Sequence, residues 1–106
     1  MQTVSTMGVI GAGAWGTALA KHLAEKGVMV RLWAYEPDVA QAINARHENS
    51  MFLPGVALPK TLVATSSIAD AIEGCQGLLF VVPSHVTRLV LTALAPYLSE
   101  PIPLIS

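Results

Sequence analysis

"VIGAGAWGTALAKHLAEKG", residues 9–27, is the stretch that decides the fold. Within it Gly11, Gly13 and Gly16 form G-x-G-x-x-G between an apolar run and a segment with helical spacing. The run before it, "MGVIGAG" (Met7–Gly13), lacks polar alternation, which suits a parallel strand buried on both faces. From Ala14 to Lys26, Trp15, Leu19 and Leu23 recur at i, i+4 and i+8 with Ala18 and His22 beside them, and Gly27 stands where a left-handed residue ends a helix. Glycines at this junction have separate tasks: Gly11 permits the tight turn, Gly13 leaves room for a diphosphate, and Gly16 lets helix and strand approach. The N–H groups of Ala14 and Trp15 fall in the first helical turn, where unpaired amides and the helix dipole attract an anion. A dinucleotide-binding turn is the expectation. Trp15 has two open readings, packing of helix on sheet or a wall beside the ligand.

Beyond this stretch, "VMVRLWAY" reads as a second strand, and Pro37 and Asp38 suit the first turn of a helix. Val39, Ala42, Ile43 and Arg46 share one face of that helix, which runs to about His47. "HENSMFLPGVALPK" (47–60) has neither period and reads as a long loop, of the kind that is functional or packed against something. "TLVAT" predicts a third strand, "SSIADAIEG" a short helix capped by Ser66 or Ser67, and "GLLFVV" a fourth strand. After "PSH", Val86, Leu89, Val90, Ala93, Leu94, Tyr97 and Leu98 form one helical stripe, and "IPLIS" begins a fifth strand. Alternating strands and helices predict an α/β, Rossmann-type doubly wound parallel sheet, strand order 3-2-1-4-5, as one domain over residues 1–106. Ligands of such sheets sit at the carboxyl ends of the strands, where the order reverses between the first and fourth.

Composition narrows the chemistry. The 106 residues carry six basic and seven acidic side chains, a formal net charge of -1, with no basic cluster for nucleic acid or an anionic membrane. A single cysteine, Cys75, excludes an internal disulfide framework and a metal-ligand cluster, so no metal is expected. "MQTVSTM" has no signal-peptide character, and no apolar run approaches membrane-spanning length, so a soluble cytoplasmic protein is the expectation. The mean hydropathy of +0.56 is high for so short a chain. Either very apolar helices cover the sheet, or part of the surface meets something outside this chain.

Glu36 lies 20 residues after Gly16, where a carboxylate meets adenosine ribose hydroxyls, although it also precedes Pro37 and suits a plain helix start. Tyr35 is either an adenine neighbour or an ordinary half-buried aromatic. No Arg or Lys stands at 34–38 to hold a 2′-phosphate, which favours NAD over NADP. A catalytic set is harder to find. Lys21, His22 and Lys26 run away from the phosphate end of the first helix, and His47 and Lys60 fall toward the opposite edge. Only His85 follows a strand on the ligand edge. Ser84 reads as a helix cap rather than a nucleophile, and Cys75 as a bystander. No residue is assigned a catalytic role.

"GAGAWGTALA", "HENSMFLPGVALP" and "FVVPSHV", in this order and spacing, resemble the N-terminal domain of NAD(P)-dependent glycerol-3-phosphate dehydrogenase, over nearly the whole chain from Met7. The resemblance implies hydride transfer between NAD(P)H and dihydroxyacetone phosphate or sn-glycerol 3-phosphate, feeding phospholipid synthesis in bacteria. It implies cofactor contacts at Gly11, Gly13, Ala14, Trp15, Gly16, Tyr35, Glu36, Phe52 and Pro83. Tyr35 stands where NADP-using bacterial members often have Arg or His. The family's lysines and phosphate-binding residues belong beyond this chain, partly in a helical substrate domain, so the chain is expected to be inactive alone. A homodimer is the assembly considered for the full-length enzyme. Two other readings share the cofactor turn: a nucleotide-sensing module, and the cofactor domain of a 6-phosphogluconate or ketopantoate type dehydrogenase, which the F-L-P-G loop argues against.

Overall fold

The computed structural model describes residues 5–82, 84–97 and 104–105, with side chains excepted at 84–86 and 104–105. Five parallel strands, β1 (Thr6–Ile10), β2 (Met29–Trp33), β3 (Leu62–Thr65), β4 (Gly77–Phe80) and β5 (Leu104–Ile105), lie in the order β3-β2-β1-β4-β5. Between them run α1 (Ala14–Glu25), α2 (Pro37–Arg46), α3 (Ile68–Ile72) and α4 (Ser84–Leu94), the last followed by a 3-10 turn, Ala95–Tyr97. This is the doubly wound sheet that the alternation predicts. The pairings Ile10 with Trp33 and Ile10 with Phe80 bring the ends of three strands level, at the edge where the order reverses.

Each face of the sheet has its own core. Val9, Val30, Leu32 and Leu62 pack with Ala20, Ala24 and Ile43 of α1 and α2. On the other face Ile10, Trp33, Leu78 and Phe80 meet Ala71 and Ile72 of α3 and Val90 and Leu94 of α4. Neighbouring residues of one strand, such as Val9 and Ile10, serve opposite cores, which is why these strands read as continuous apolar runs.

Local signals end the helices as the sequence suggests. Pro37 opens α2, and Ser67 rather than Ser66 caps α3, its Oγ accepting from the Asp70 N–H at 3.2 Å. The helical faces need three corrections. In α1 the fully buried residues are Gly16, Thr17, Ala20 and Ala24; of the Trp15, Leu19 and Leu23 stripe, Leu23 packs half-buried against the core and Leu19 is half-buried. Small side chains win because the helix lies close on the sheet, and Trp15 is left 70% exposed. In α2 the inward residues are Val39, Ala40 and Ile43, while Arg46 is exposed because the helix ends there in solvent. In α4 Val90 and Leu94 are buried but Leu89, Ala93 and Tyr97 are exposed; Leu89 and Ala93 border a cavity instead of the core, and Val86 and Leu98 lie outside the described side chains.

The outer edge of β3 is closed by one side chain. Asn44 of α2 donates from Nδ2 to the Ala64 carbonyl and accepts the Ala64 N–H at Oδ1, both at 2.8 Å. The Leu62 N–H is taken by the Pro59 carbonyl at 3.1 Å. Edge strands otherwise present unpaired backbone to other chains. None of the described helices is long and apolar enough to cross a membrane.

Candidate functional site

After Ile10 the chain turns through Gly11, whose φ of 127° strains any residue with a side chain. Its N–H donates to the Trp33 carbonyl at 3.1 Å, and a β-carbon there would strike the Val81 carbonyl. Gly16, in the first turn of α1, is closed from the other side, since its β-carbon would overlap the Gly11 carbonyl oxygen. Backbone contact at these two glycines holds β1, the end of β4 and α1 together. Gly13 is different. It is the N-cap of α1 with φ −71° and ψ −173°, a conformation open to any residue, and an added β-carbon would meet nothing within 4 Å. The fold leaves that space free. No side chain caps α1 and no acidic residue stands in its first turn, so the amides of Ala14 and Trp15 have no competing anion of the helix's own.

Two cavities flank the glycine turn. The larger, about 600 Å³, is walled by Gly11, Ala12 and Gly13 on one side and by Trp33, Tyr35 and Glu36 at the end of β2 on another. Phe52, Ile68, Val81, Val82 and Leu89, Val90 and Ala93 of α4 complete it. The smaller, about 540 Å³, lies over Ala14, Trp15, Gly16 and Leu19 and against Leu79 and Phe80. Gly13, Val81 and Val82 border both, which makes Gly13 the saddle between them. Trp15 therefore stands beside a cavity rather than in the core. Tyr35 is exposed and meets Trp33 edge to face at 6.2 Å, while the Trp33 indole N–H is held by the Ser66 carbonyl at 3.1 Å. Several of the exposed large apolar residues, Trp15, Tyr35, Phe52 and Leu89, border these cavities, which locates part of the chain's high hydropathy. Of the expected contacts Gly11, Gly13, Tyr35, Glu36 and Phe52 gather at the larger cavity and Ala14, Trp15 and Gly16 at the smaller; Pro83 lies outside the described residues.

The α4 wall and the buried polar layer under the turn escaped the sequence reading. Asn49 is 1% exposed, and its Nδ2 donates to the Ala12 carbonyl and to Thr17 Oγ1, both at 2.8 Å. Thr17, wholly buried, donates to the same carbonyl at 3.3 Å. Asn49 Oδ1 accepts the Phe52 N–H at 3.2 Å. The available signal was a polar residue in an aperiodic loop two positions after His47.

Ionisable side chains are sparse here. Tyr35 and Glu36 are the only ones among the described residues that border either cavity. Lys21 pairs with Glu25 at 2.7 Å along α1, and the Arg31 guanidinium donates to the Asp70 and Glu73 carbonyls at the end of α3. Cys75 is buried with its thiol on the Ala71 carbonyl at 3.1 Å. Burial pushes that thiol's pKa up, against the opposing charge of Arg31, so the unreactive protonated form prevails at neutral pH. The His85 and Ser84 side chains lie outside those described, although α4 does begin at Ser84.

Known proteins share both the sequence and this architecture. The family described as NAD-dependent glycerol-3-phosphate dehydrogenase N-terminus matches residues 6–106. A glycerol-3-phosphate dehydrogenase of Maricaulis maris, named for NAD(P)+, is 47% identical over 105 residues, covering 99% of this chain and 31% of that protein. One from Rhodospirillum rubrum is 50% identical over 95 residues, 90% of this chain and 27% of the relative. Among solved structures, glycerol-3-phosphate dehydrogenase from Coxiella burnetii is 38% identical with a TM-score of 0.90, covering 95% of this chain and 31% of that one. The chain thus spans less than a third of the length of these relatives. By sequence and by fold, it belongs to the family of the NAD-dependent glycerol-3-phosphate dehydrogenase N-terminus.

Proposed function

We propose that this chain is the cofactor-binding domain of a glycerol-3-phosphate dehydrogenase and holds the dinucleotide astride Gly13. The observation that carries the reading is the open space over that residue, at the saddle between two cavities and at an uncapped helix start. The diphosphate would lie on the Ala14 and Trp15 amides, the adenosine half in the larger cavity by Tyr35 and Glu36, and the other half in the smaller one by Trp15. Pro83, by the family resemblance, belongs to the same contact set. When bound, NADH supplies the hydride, and what the chain contributes is orientation and a dry apolar wall. Among the described residues no cation borders either cavity, and the only ionisable groups there, Tyr35 and Glu36, stand at the adenosine end, so reduction of dihydroxyacetone phosphate would draw its acid and phosphate-binding groups from elsewhere in a longer enzyme. A helical substrate domain, a homodimer, a role in phospholipid synthesis and a cytoplasmic location belong to the same proposal.

Titration of NADH against intrinsic tryptophan fluorescence tests it directly, because Trp15 and Trp33 border the two cavities. Saturable quenching is expected, with no NADH oxidation on addition of dihydroxyacetone phosphate. An absence of binding would overturn the cofactor assignment, and turnover would overturn the need for a second part.

Glu36 also borders the larger cavity, at the N-cap of α2, without capping it through its side chain. A carboxylate there accepts from ribose hydroxyls but repels a 2′-phosphate. Glu36→Ala should therefore weaken NADH by about tenfold, the scale of one hydrogen bond to a charged group, and should leave NADPH unchanged or improved. Equal losses for the two would make Glu36 an ordinary helix start.

A further inference from the structure

We infer that Asn49 is a positioning residue that sets Phe52 against the glycine turn, and so fixes the width of the larger cavity. The inference rests on the reading of that cavity as a dinucleotide site. Asn49 is buried, and its amide is fully committed: Nδ2 faces the Ala12 carbonyl and Thr17 Oγ1, and Oδ1 faces the Phe52 N–H. The Ala12 carbonyl can only accept and the Phe52 N–H can only donate, so the amide has one permitted orientation. Its own backbone adds a further tie, the Leu53 N–H donating to the Asn49 carbonyl at 2.7 Å.

These bonds join two distant stretches of chain at the site. Ala12 lies between Gly11 and Gly13, while Phe52 belongs to the loop after α2, and both border the same cavity. One planar amide spans from the first to the second. With those bonds made, Asn49 faces the interior and acts on a ligand through Phe52. An apolar residue at 49 would leave the Phe52 N–H and the Ala12 carbonyl without this partner and free the loop to shift its aromatic ring away from the turn.

The test is a double-mutant cycle on the 106-residue chain, read by NADH titration and circular dichroism. Asn49→Ala and Asn49→Asp should each raise the dissociation constant about tenfold with the helical signal retained, the aspartate because it sets an acceptor against the Ala12 carbonyl. Phe52→Ala should cost a similar factor. Asn49→Ala combined with Phe52→Ala should bind no worse than the weaker of the single variants, because both remove one contact. A purely structural asparagine would instead give the product of the two losses, about a hundredfold, and that result overturns the inference. So does wild-type affinity in folded Asn49 variants.

Should the variants fail to fold, the unmodified chain decides. On NADH titration the Asn49 side-chain amide and the Phe52 N–H should shift together in the NMR spectrum, and an unmoved Asn49 amide overturns the inference. If the unmodified chain binds no NADH, it is the dinucleotide reading that falls; if it binds and Asn49 is indifferent, only the positioning role does.

Discussion

Gly13→Val abolishes NADH binding while leaving the domain folded. Valine fits the protein: φ −71° and ψ −173° are extended values that β-branched residues adopt readily, and nothing lies within 4 Å of the added β-carbon. Glycine is a better N-cap than valine, so a stability loss of up to about 1 kcal/mol is expected. Binding is another matter, because the isopropyl group would occupy the saddle where the proposed diphosphate site meets the α1 amides. A rise in dissociation constant of at least about a hundredfold is expected, equivalent to about 2.8 kcal/mol. Titration with NADH beside a thermal melt checks both halves. Retained affinity would move the anion site away from this turn.

Gly16→Ala should have the opposite signature, a loss of the fold itself. Its β-carbon would overlap the Gly11 carbonyl oxygen, a backbone atom that cannot swing aside as a flexible side-chain tip does. Relief requires α1 to lift from β1, which disturbs Thr17 and its bonds to Ala12 and Asn49. Overpacking of a well-packed core costs about 1–3 kcal/mol and occasionally more, and contact with rigid backbone places this variant at the upper end. A drop of roughly 12–20 °C in Tm is expected for about 3 kcal/mol in a domain of this size. An unchanged melt would mean that helix and strand are not in the close contact described. The two glycines, three positions apart, thus separate a requirement of the ligand from a requirement of the protein.

The sequence carries the local features of this fold well. The strand-turn-helix at Gly11–Gly16, Pro37 at the start of α2 and the serine cap of α3 act over a few residues, so spacing alone announces them. The helical faces were less legible. Trp15, Leu19 and Leu23 are the larger apolar residues of α1, but a helix pressed against a sheet buries its smallest side chains most deeply, leaving Leu23 at the margin of the core and Trp15 outside it, and hydropathy alone cannot weigh distance of approach. In α4, Leu89 and Ala93 border a cavity, and apolar residues lining a cavity look the same in sequence as apolar residues awaiting a core. Asn49 is the extreme case. Its partners Thr17 and Ala12 are 32 and 37 residues away, so its value is set by tertiary contact that no local pattern encodes. Of the expected contacts, those at the glycine turn and the end of β2 border the two cavities because topology brings both to one edge of the sheet.

The Asn44 clamp on Ala64 also governs how the sheet can grow. With both backbone groups of Ala64 taken by a carboxamide, a newcomer finds no ladder bond at that residue, whether it is an additional segment of a longer polypeptide or a neighbouring molecule. Growth of the sheet past β3 therefore has to displace a side chain first. Removing that carboxamide would uncover the Ala64 backbone and invite strand-to-strand association between molecules.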